Sequence, residues 1–457
     1  MMKTHLDMEN KALSHDDQSL EANLISSTSM GDEHNVMIME DSFDPYSITG
    51  ILTVCKRELL GPYMRFLSLV GLRPIIGEHS QWGCCVKWLN AMYSMQVVIF
   101  LLLGYCLQYM SCFRRDRGFG SMTSTHLHSK LHLKAMYEKS CTGSLSSSFI
   151  FPSLLHFTGY LYASVVFRTN DDNQLPVLIE RVFLTSSHLP NMQLHQRQIV
   201  KTLWTFVVGS FVWMLATIGL VSYMMVEGDV TMKWFEDGPF QVQLTLKILL
   251  VVCLIWHDIV QASVISNYCL QAQLLRSYVQ FIREKLLQQS IRPLQWIRDI
   301  EEFRKLLTYL NQEVAPSVCI FTLINGTYAI SGTLWLLAAH YELSNDIVPI
   351  YTGVNIANVV LWWFIAAAPF VQAARLTIAC NNMKTVGQEV ITRPFTHMNT
   401  PFQDLNSILI YTASLKIKAK LFNLPISGKY VGISFALLSV LFLVLSQSNI
   451  LEIAFQS

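Results

Sequence analysis

Residues 242–290 read VQLTLKILLVVCLIWHDIVQASVISNYCLQAQLLRSYVQFIREKLLQQS, and their reading decides the fold. The core ILLVVCLIW is dense enough to lie in hydrocarbon, and a helix crosses a bilayer with about 20 predominantly apolar residues. Val242 to Ile265 meets that length while carrying Lys247 and Asp258. From Ser266 the apolar residues keep helical spacing, with Leu270, Leu274, Tyr278, Phe281 and Leu286 on related faces. One helix is therefore expected to cross the membrane and continue beyond it.

Outward from this stretch, six further runs contain no Asp, Glu, Lys or Arg: 88–111, 149–167, 202–226, 314–341, 347–374 and 430–451. With 242–265 they make seven expected spans, an all-α polytopic membrane protein. Composition agrees, at 52% hydrophobic and 14% charged residues with a mean hydropathy of +0.35. A soluble enzyme of this length carries more charge. Residues 1–45 are polar and acidic with no apolar h-region, so they read as a disordered cytoplasmic tail rather than a signal peptide. The remainder, 46–457, reads as one transmembrane domain.

Orientation follows from Lys and Arg, which are retained on the cytoplasmic side. With the N-terminus inside, segments 1–87, 168–201, 266–313 and 375–427 hold seven, four, seven and six of them. The opposite side holds seven in all, six of these in 112–148 as Arg114, Arg115, Arg117, Lys130, Lys134 and Lys139. The balance of 24 against 7 predicts N-terminus in and C-terminus out, with 112–148 as the exception.

Three amphipathic segments are expected on the inner side besides the spans. Residues 51–76 mix basic and apolar positions and stop at Pro74, as an interfacial helix would. After Pro293, Trp296, Ile300, Phe303, Leu307 and Leu310 define a second helix leading into span five. Segment 402–423, with Leu405, Ile408, Leu409, Leu415 and Ile417, is read as a third stretch of this kind. The continuation of span four, the helix after Pro293 and segment 402–423 suggest a shared cytoplasmic interface, with an interface between subunits as one open reading.

Three stretches carry a resemblance to a known family. LLGPYMRFLSLVGLRP (59–74) looks like a short entry sequence before a first span, and Tyr268 to Asn311 is similar to a helix pair between spans four and five. In the last span, Gln447 follows a hydrophobic run, although Val440 and Leu441 stand where Thr-Tyr is expected and Ser448 where Phe is expected. The chain thus resembles the insect gustatory receptor family, within the superfamily that includes odorant receptors, as a divergent member. The resemblance implies a plasma-membrane chemosensory receptor that is itself a ligand-gated cation channel, a homo- or hetero-tetramer with related subunits. No cofactor, metal, nucleic acid or enzyme chemistry is implied; the partners are a small organic ligand and membrane lipid.

Site expectations divide between the pore and a pocket. Val440, Val444, Gln447 and Leu451 recur at spacings of four, three and four residues and so share one helix face. An apolar ring capped by amides can gate by dewetting, and Val444 and Gln447 match family gate positions. The family's pocket lies in the outer half of the subunit, where this chain offers His156, Tyr160, Tyr223, Tyr328, Trp335, Tyr351 and Asn355. Each of these residue types also serves ordinary bundle packing.

The intramembrane polar residues are a separate matter. Lys247 and Asp258 lie about 16 Å apart on one helix and cannot pair. Asp258, with His257, is expected near the inner third, either in a structural polar contact or in a gating or ligand-linked role. Cys112 and Cys141 share the first outer loop, where a disulfide is chemically permitted. His126, His128 and His132 lack a completing ligand for a metal site, and the sequon at Asn325 falls inside a span. Rival readings are a G-protein-coupled receptor, which requires the opposite topology, a secondary transporter interrupted at Pro152 and Pro369, and a superfamily member sensing light or reactive oxygen through its ten tryptophans.

Overall fold

The computed structural model describes residues 48–75, 83–116, 145–169, 174–187, 192–227, 239–342, 349–392 and 401–429, with single positions such as 232, 431–434, 437 and 440. Helix α1 runs through Ile48–Val54, a π-type stretch Cys55–Leu60, and Gly61–Leu69. Then follow α2 (Gly83–Ser111), α3 (Phe151–Thr169, entered by a π turn Ser146–Ile150), α4 (Gln174–Ser186) and α5 (Met192–Glu227). The second half holds α6 (Phe240–Leu287), α7 (Pro293–Tyr309), α8 (Ala315–Glu342) and α9 (Pro349–Lys384). Two short helices, α10 (Val386–Thr392) and α11 (Phe402–Ser414), and a hairpin of β1 (Lys420–Leu421) with β2 (Leu424–Pro425) complete the order.

Six described helices are long and apolar enough to cross a membrane, as 88–111, 149–167, 202–226, 242–265, 314–341 and 347–374 predict. The expected seventh span begins within the described residues, since helical positions recur from 428 to 440, but most of it lies outside them. The chain is an all-α multi-pass membrane protein.

The pillar is α6. Its 48 residues span about 72 Å at 1.5 Å per residue, more than twice the hydrocarbon thickness of about 30 Å, so it continues past the membrane as the sequence predicts. From Val260 to Leu275 every residue is buried, and α6 as a whole packs against α2, α4, α5, α7, α8 and α9. A helix buried all round belongs at the centre of a bundle. On the Leu287 side, Trp296, Ile300, Phe303 and Leu307 of α7 are buried at helical spacing, and Trp296 meets Tyr411 of α11 edge-on at 5.9 Å.

Leu59, Tyr63 and Leu67 of α1, Phe303 of α7 and Ile408 of α11 join one core within the chain. Several expectations need correction here. Helix α1 ends before Pro74, because Gly71 takes φ 79° and Leu72 N–H returns to the Leu67 carbonyl, a Schellman cap. Segment 402–423 is not one helix, since α11 stops at Ser414. Beyond it Leu415, Ile417, Ala419 and Leu421 are buried while Lys416, Lys418 and Lys420 are exposed. That alternation is the period of an extended strand. Phe422 and Asn423, both at positive φ, close it as a two-residue hairpin turn. Finally, α9 runs unbroken through Pro369, and Pro152 sits in the first turn of α3.

Candidate functional site

The candidate site is built from a chain reversal. Helix α2 ends in a second Schellman cap: Phe113 N–H bonds the Gln108 carbonyl at 3.0 Å and Cys112 N–H bonds Tyr109 at 3.1 Å. The left-handed position is usually glycine, yet here it is Cys112 at φ 52°. Cys112 is also disulfide-bonded, while Cys141, its expected partner, lies outside the described residues. The reversal drives Phe113 into an apolar cluster with Val221, Met224, Met232 and Leu250, and sends the next two residues back into the bundle.

Arg115 lands at the centre, 3% exposed. Its Nη2 donates to both carboxylate oxygens of Asp258 at 2.7 Å, its guanidinium carbon lies 4.8 Å from the centroid of Trp362, and its carbonyl accepts from Asn358 Nδ2 at 2.8 Å. Asp258 is 1% exposed, so this ion pair is buried on both sides. Beside it Asp116 accepts from Arg114 at 2.7 Å and from Ser331 Oγ. The segment fits because α8 is bare at Gly332: a Cβ there would stand 2.7 Å from the Asp116 carbonyl oxygen.

An aromatic and imidazole layer adjoins the pair. The Tyr105 hydroxyl bonds His156 Nδ1 at 3.2 Å and lies 3.5 Å from the Tyr328 hydroxyl. His257 Nε2 donates to the Leu101 carbonyl at 2.8 Å, which fixes that tautomer, and its ring stacks on Tyr105 at 4.6 Å. His156 and His257 ring centroids are 4.8 Å apart, and Tyr328 meets Trp362 edge-on at 5.1 Å. Gly104 permits this closeness, since a Cβ at that position would lie 2.8 Å from His257 Nε2.

Three polar groups of this layer have no hydrogen-bond partner among the described residues: His156 Nε2, Arg115 Nε and Trp362 Nε1. Buried polar atoms left unpaired cost about 1–3 kcal/mol each. Two of these groups are N–H donors and the third is a ring nitrogen, set among the rings of Tyr105, His156, Tyr328 and Trp362.

The pocket residues expected from sequence divide. His156 and Tyr328 meet in this layer through Tyr105, and Asn355 is buried one turn from Asn358 on α9. Tyr160 is fully buried one turn along α3 from His156, toward the Leu287 side. Tyr223 is exposed, Trp335 is half-buried, and the Tyr351 side chain lies outside the described residues. Asp258 and His257 contact neighbouring elements through Arg115 and the Leu101 carbonyl, as one of the open readings has it. They lie level with Tyr105, about 9 Å from the end of α2. Arg115, Asn358, Tyr105 and Trp362 went unrecognised in the sequence. The clue was electrostatic, a cluster of arginines directly after a span on the side that otherwise lacks them.

Val440 is 56% exposed on the helix that begins at 428, while Val444, Gln447 and Leu451 lie outside the described residues. His126, His128 and His132 lie outside them also. Asn325 is fully buried in α8.

No protein-family model matches this chain, and no curated protein does. Its fold is that of the insect olfactory receptor OR5 from Machilis hrabei. The structure of that receptor in complex with eugenol aligns with 89% of this chain and 100% of that chain, at TM-score 0.56 and 12% identity. The structure of the same receptor described without eugenol aligns over the same shares, with the same score and identity.

Proposed function

We propose that this chain is a divergent member of the insect gustatory and odorant receptor superfamily, a chemosensory receptor that is itself a ligand-gated cation channel. The observation that carries the reading is the fold, which spans the whole of an olfactory receptor chain. Four such subunits, identical or related, surround one pore in the plasma membrane. The seventh span lines it through Val440, Val444, Gln447 and Leu451.

The ligand is a small organic molecule received in the layer of Tyr105, His156, Tyr328, Asn355, Asn358 and Trp362. Eugenol in the olfactory receptor supports this class of ligand for the shared fold. The unpaired His156 Nε2 and Trp362 Nε1 would give it direction.

The N-in, C-out orientation gains support from the ion pairs. Arg114 and Arg115 were the start of the anomalous basic loop, and both are neutralised within the bundle by Asp116 and Asp258. The basic residues left on that side are Arg117, Lys130, Lys134 and Lys139 of the loop, and Lys233. An epitope tag after Ser457 should stain on unpermeabilised cells; staining only after permeabilisation would overturn the orientation and the superfamily reading with it. In cells expressing the chain, a panel of small aromatic and polar organics should evoke cation currents that Gln447→Lys alters. Evoked currents unchanged by that substitution would remove Gln447 from the pore.

A further inference from the structure

We propose that Cys84 and Cys85, the adjacent thiols in the first turn of α2, are S-acylated by a long-chain fatty acid. Both are free and exposed. They stand at the head of a continuous exposed stripe on α2, formed by Trp88 at 68%, Met92 at 62%, Met95 at 61% and Ile99 at 51% exposure. Val86 and Asn90, on the opposite face, are buried against the bundle, so the thiols point where the helix meets lipid.

The level of the pair is set by its neighbours. Asn90 lies at the polar boundary, its carbonyl accepting from Arg168 and its Oδ1 from the Ile75 amide. Lys87 is exposed, and Trp88 is the residue type that gathers at headgroup depth. Cys84 and Cys85 stand about 6 Å beyond Trp88 along the helix, within the headgroup layer. An acyl chain attached there has the Trp88, Met92 and Met95 face to lie along. Juxtamembrane cysteines are the usual acceptors of this modification.

The other free cysteines fail one condition or another. Cys55, Cys253, Cys269 and Cys380 are buried, Cys319 is half-buried with its sulfur accepting from the Phe422 amide, and Cys106 is exposed but deep in the apolar part of α2.

The step is a transthioesterification from a fatty acyl-coenzyme A. The cysteine sulfur attacks the acyl carbonyl carbon, the bond from that carbon to the coenzyme A sulfur breaks, and the departing thiolate takes the proton the cysteine gave up. No electron is gained or lost overall. The donor is cytoplasmic, so the proposal rests on the N-in orientation.

The test uses the full chain in cultured cells. Thioesters are cleaved with neutral hydroxylamine and the freed thiols tagged with a polyethylene-glycol maleimide. Hydroxylamine should reveal two added mass steps in the wild type, one in Cys84→Ser or Cys85→Ser, and none in the double variant, while Cys106→Ser keeps both. Metabolic labelling with an alkynyl palmitate should be lost in the double variant alone. Absence of hydroxylamine-dependent steps in a wild-type chain whose two thiols react only after permeabilisation would overturn acylation and leave the orientation standing. Reaction of Cys84 and Cys85 with an impermeant maleimide on intact cells would overturn the orientation, and acylation with it.

Discussion

The buried Arg115–Asp258 pair supports a prediction in which the two single substitutions and the double substitution must disagree. Both charges are almost completely removed from water, and their two hydrogen bonds are 2.7 Å long. Breaking such a pair by removing one partner costs about 3–5 kcal/mol, because it strands the other charge, whereas replacing both by apolar groups is often neutral or stabilising. Asp258→Leu leaves a guanidinium that cannot shed its proton; Arg115→Met leaves a carboxyl that can become neutral by taking one up. Asp258→Leu should therefore be the more damaging, although Arg115→Met also forfeits the contact over Trp362. For a large domain about 2 °C accompanies each kcal/mol, so Asp258→Leu should lower the melting point by roughly 6–10 °C and Arg115→Met by less. The Arg115→Met/Asp258→Leu protein should recover most of the loss. Size-exclusion elution of the detergent-solubilised chain after heating reads all three. Additive losses, or single variants that melt with the wild type, would refute the claim that these charges stabilise only as a pair.

Other substitutions probe the base of the bundle by the same melting assay. Gly387→Ala sets a Cβ 2.3 Å from Thr412 Oγ1 and 3.1 Å from Leu409 Cα, and overpacking of this kind costs about 1–3 kcal/mol. Gly428→Ala, whose Cβ would meet Ile378 at an ordinary 3.6 Å, should leave the melting point unchanged. Trp296→Ala removes a fully buried indole where α7 meets α11 and should cost about 3–5 kcal/mol, enough to broaden or abolish the monodisperse elution peak. In the extended segment after α11, Ile417→Asp should destabilise strongly while Lys418→Gln, on the exposed face, should fall within about 0.5 kcal/mol of wild type.

What could be read from the sequence is what repeats along it. The spans were legible because a helix crossing lipid needs an uninterrupted apolar run, and α6 and α7 because Leu270, Leu274 and Tyr278, or Trp296, Ile300 and Phe303, keep one period for several turns. The extended stretch from Leu415 to Leu421, two residues of which form β1, was missed although its alternation is visible in LKIKAKL, because the apolar count of the whole segment also suits a helix. The centre of the candidate site could not be read locally at all. Arg115 sits in a loop by every pattern of its neighbours, and its burial depends on a left-handed turn at Cys112, where glycine would have announced it. His156 and Tyr328 were found because they lie within spans; their partner Tyr105 is indistinguishable in sequence from an interfacial tyrosine.

The extended segment after α11 joins the base of the bundle to the hairpin that precedes residue 428. Its backbone is pinned at three points: Ala419 N–H to Thr377 Oγ1, Lys420 N–H to Asn311 Oδ1, and the Lys418 carbonyl to Asn311 Nδ2. Sliding it by one residue would drive Lys416, Lys418 and Lys420 into the core and Ile417 out of it, so the segment cannot creep by small steps. Extended chain has little stretch left to give. Asn311, just before α8, and Thr377 of α9 therefore both hold the segment that leads through the β1–β2 hairpin to residue 428.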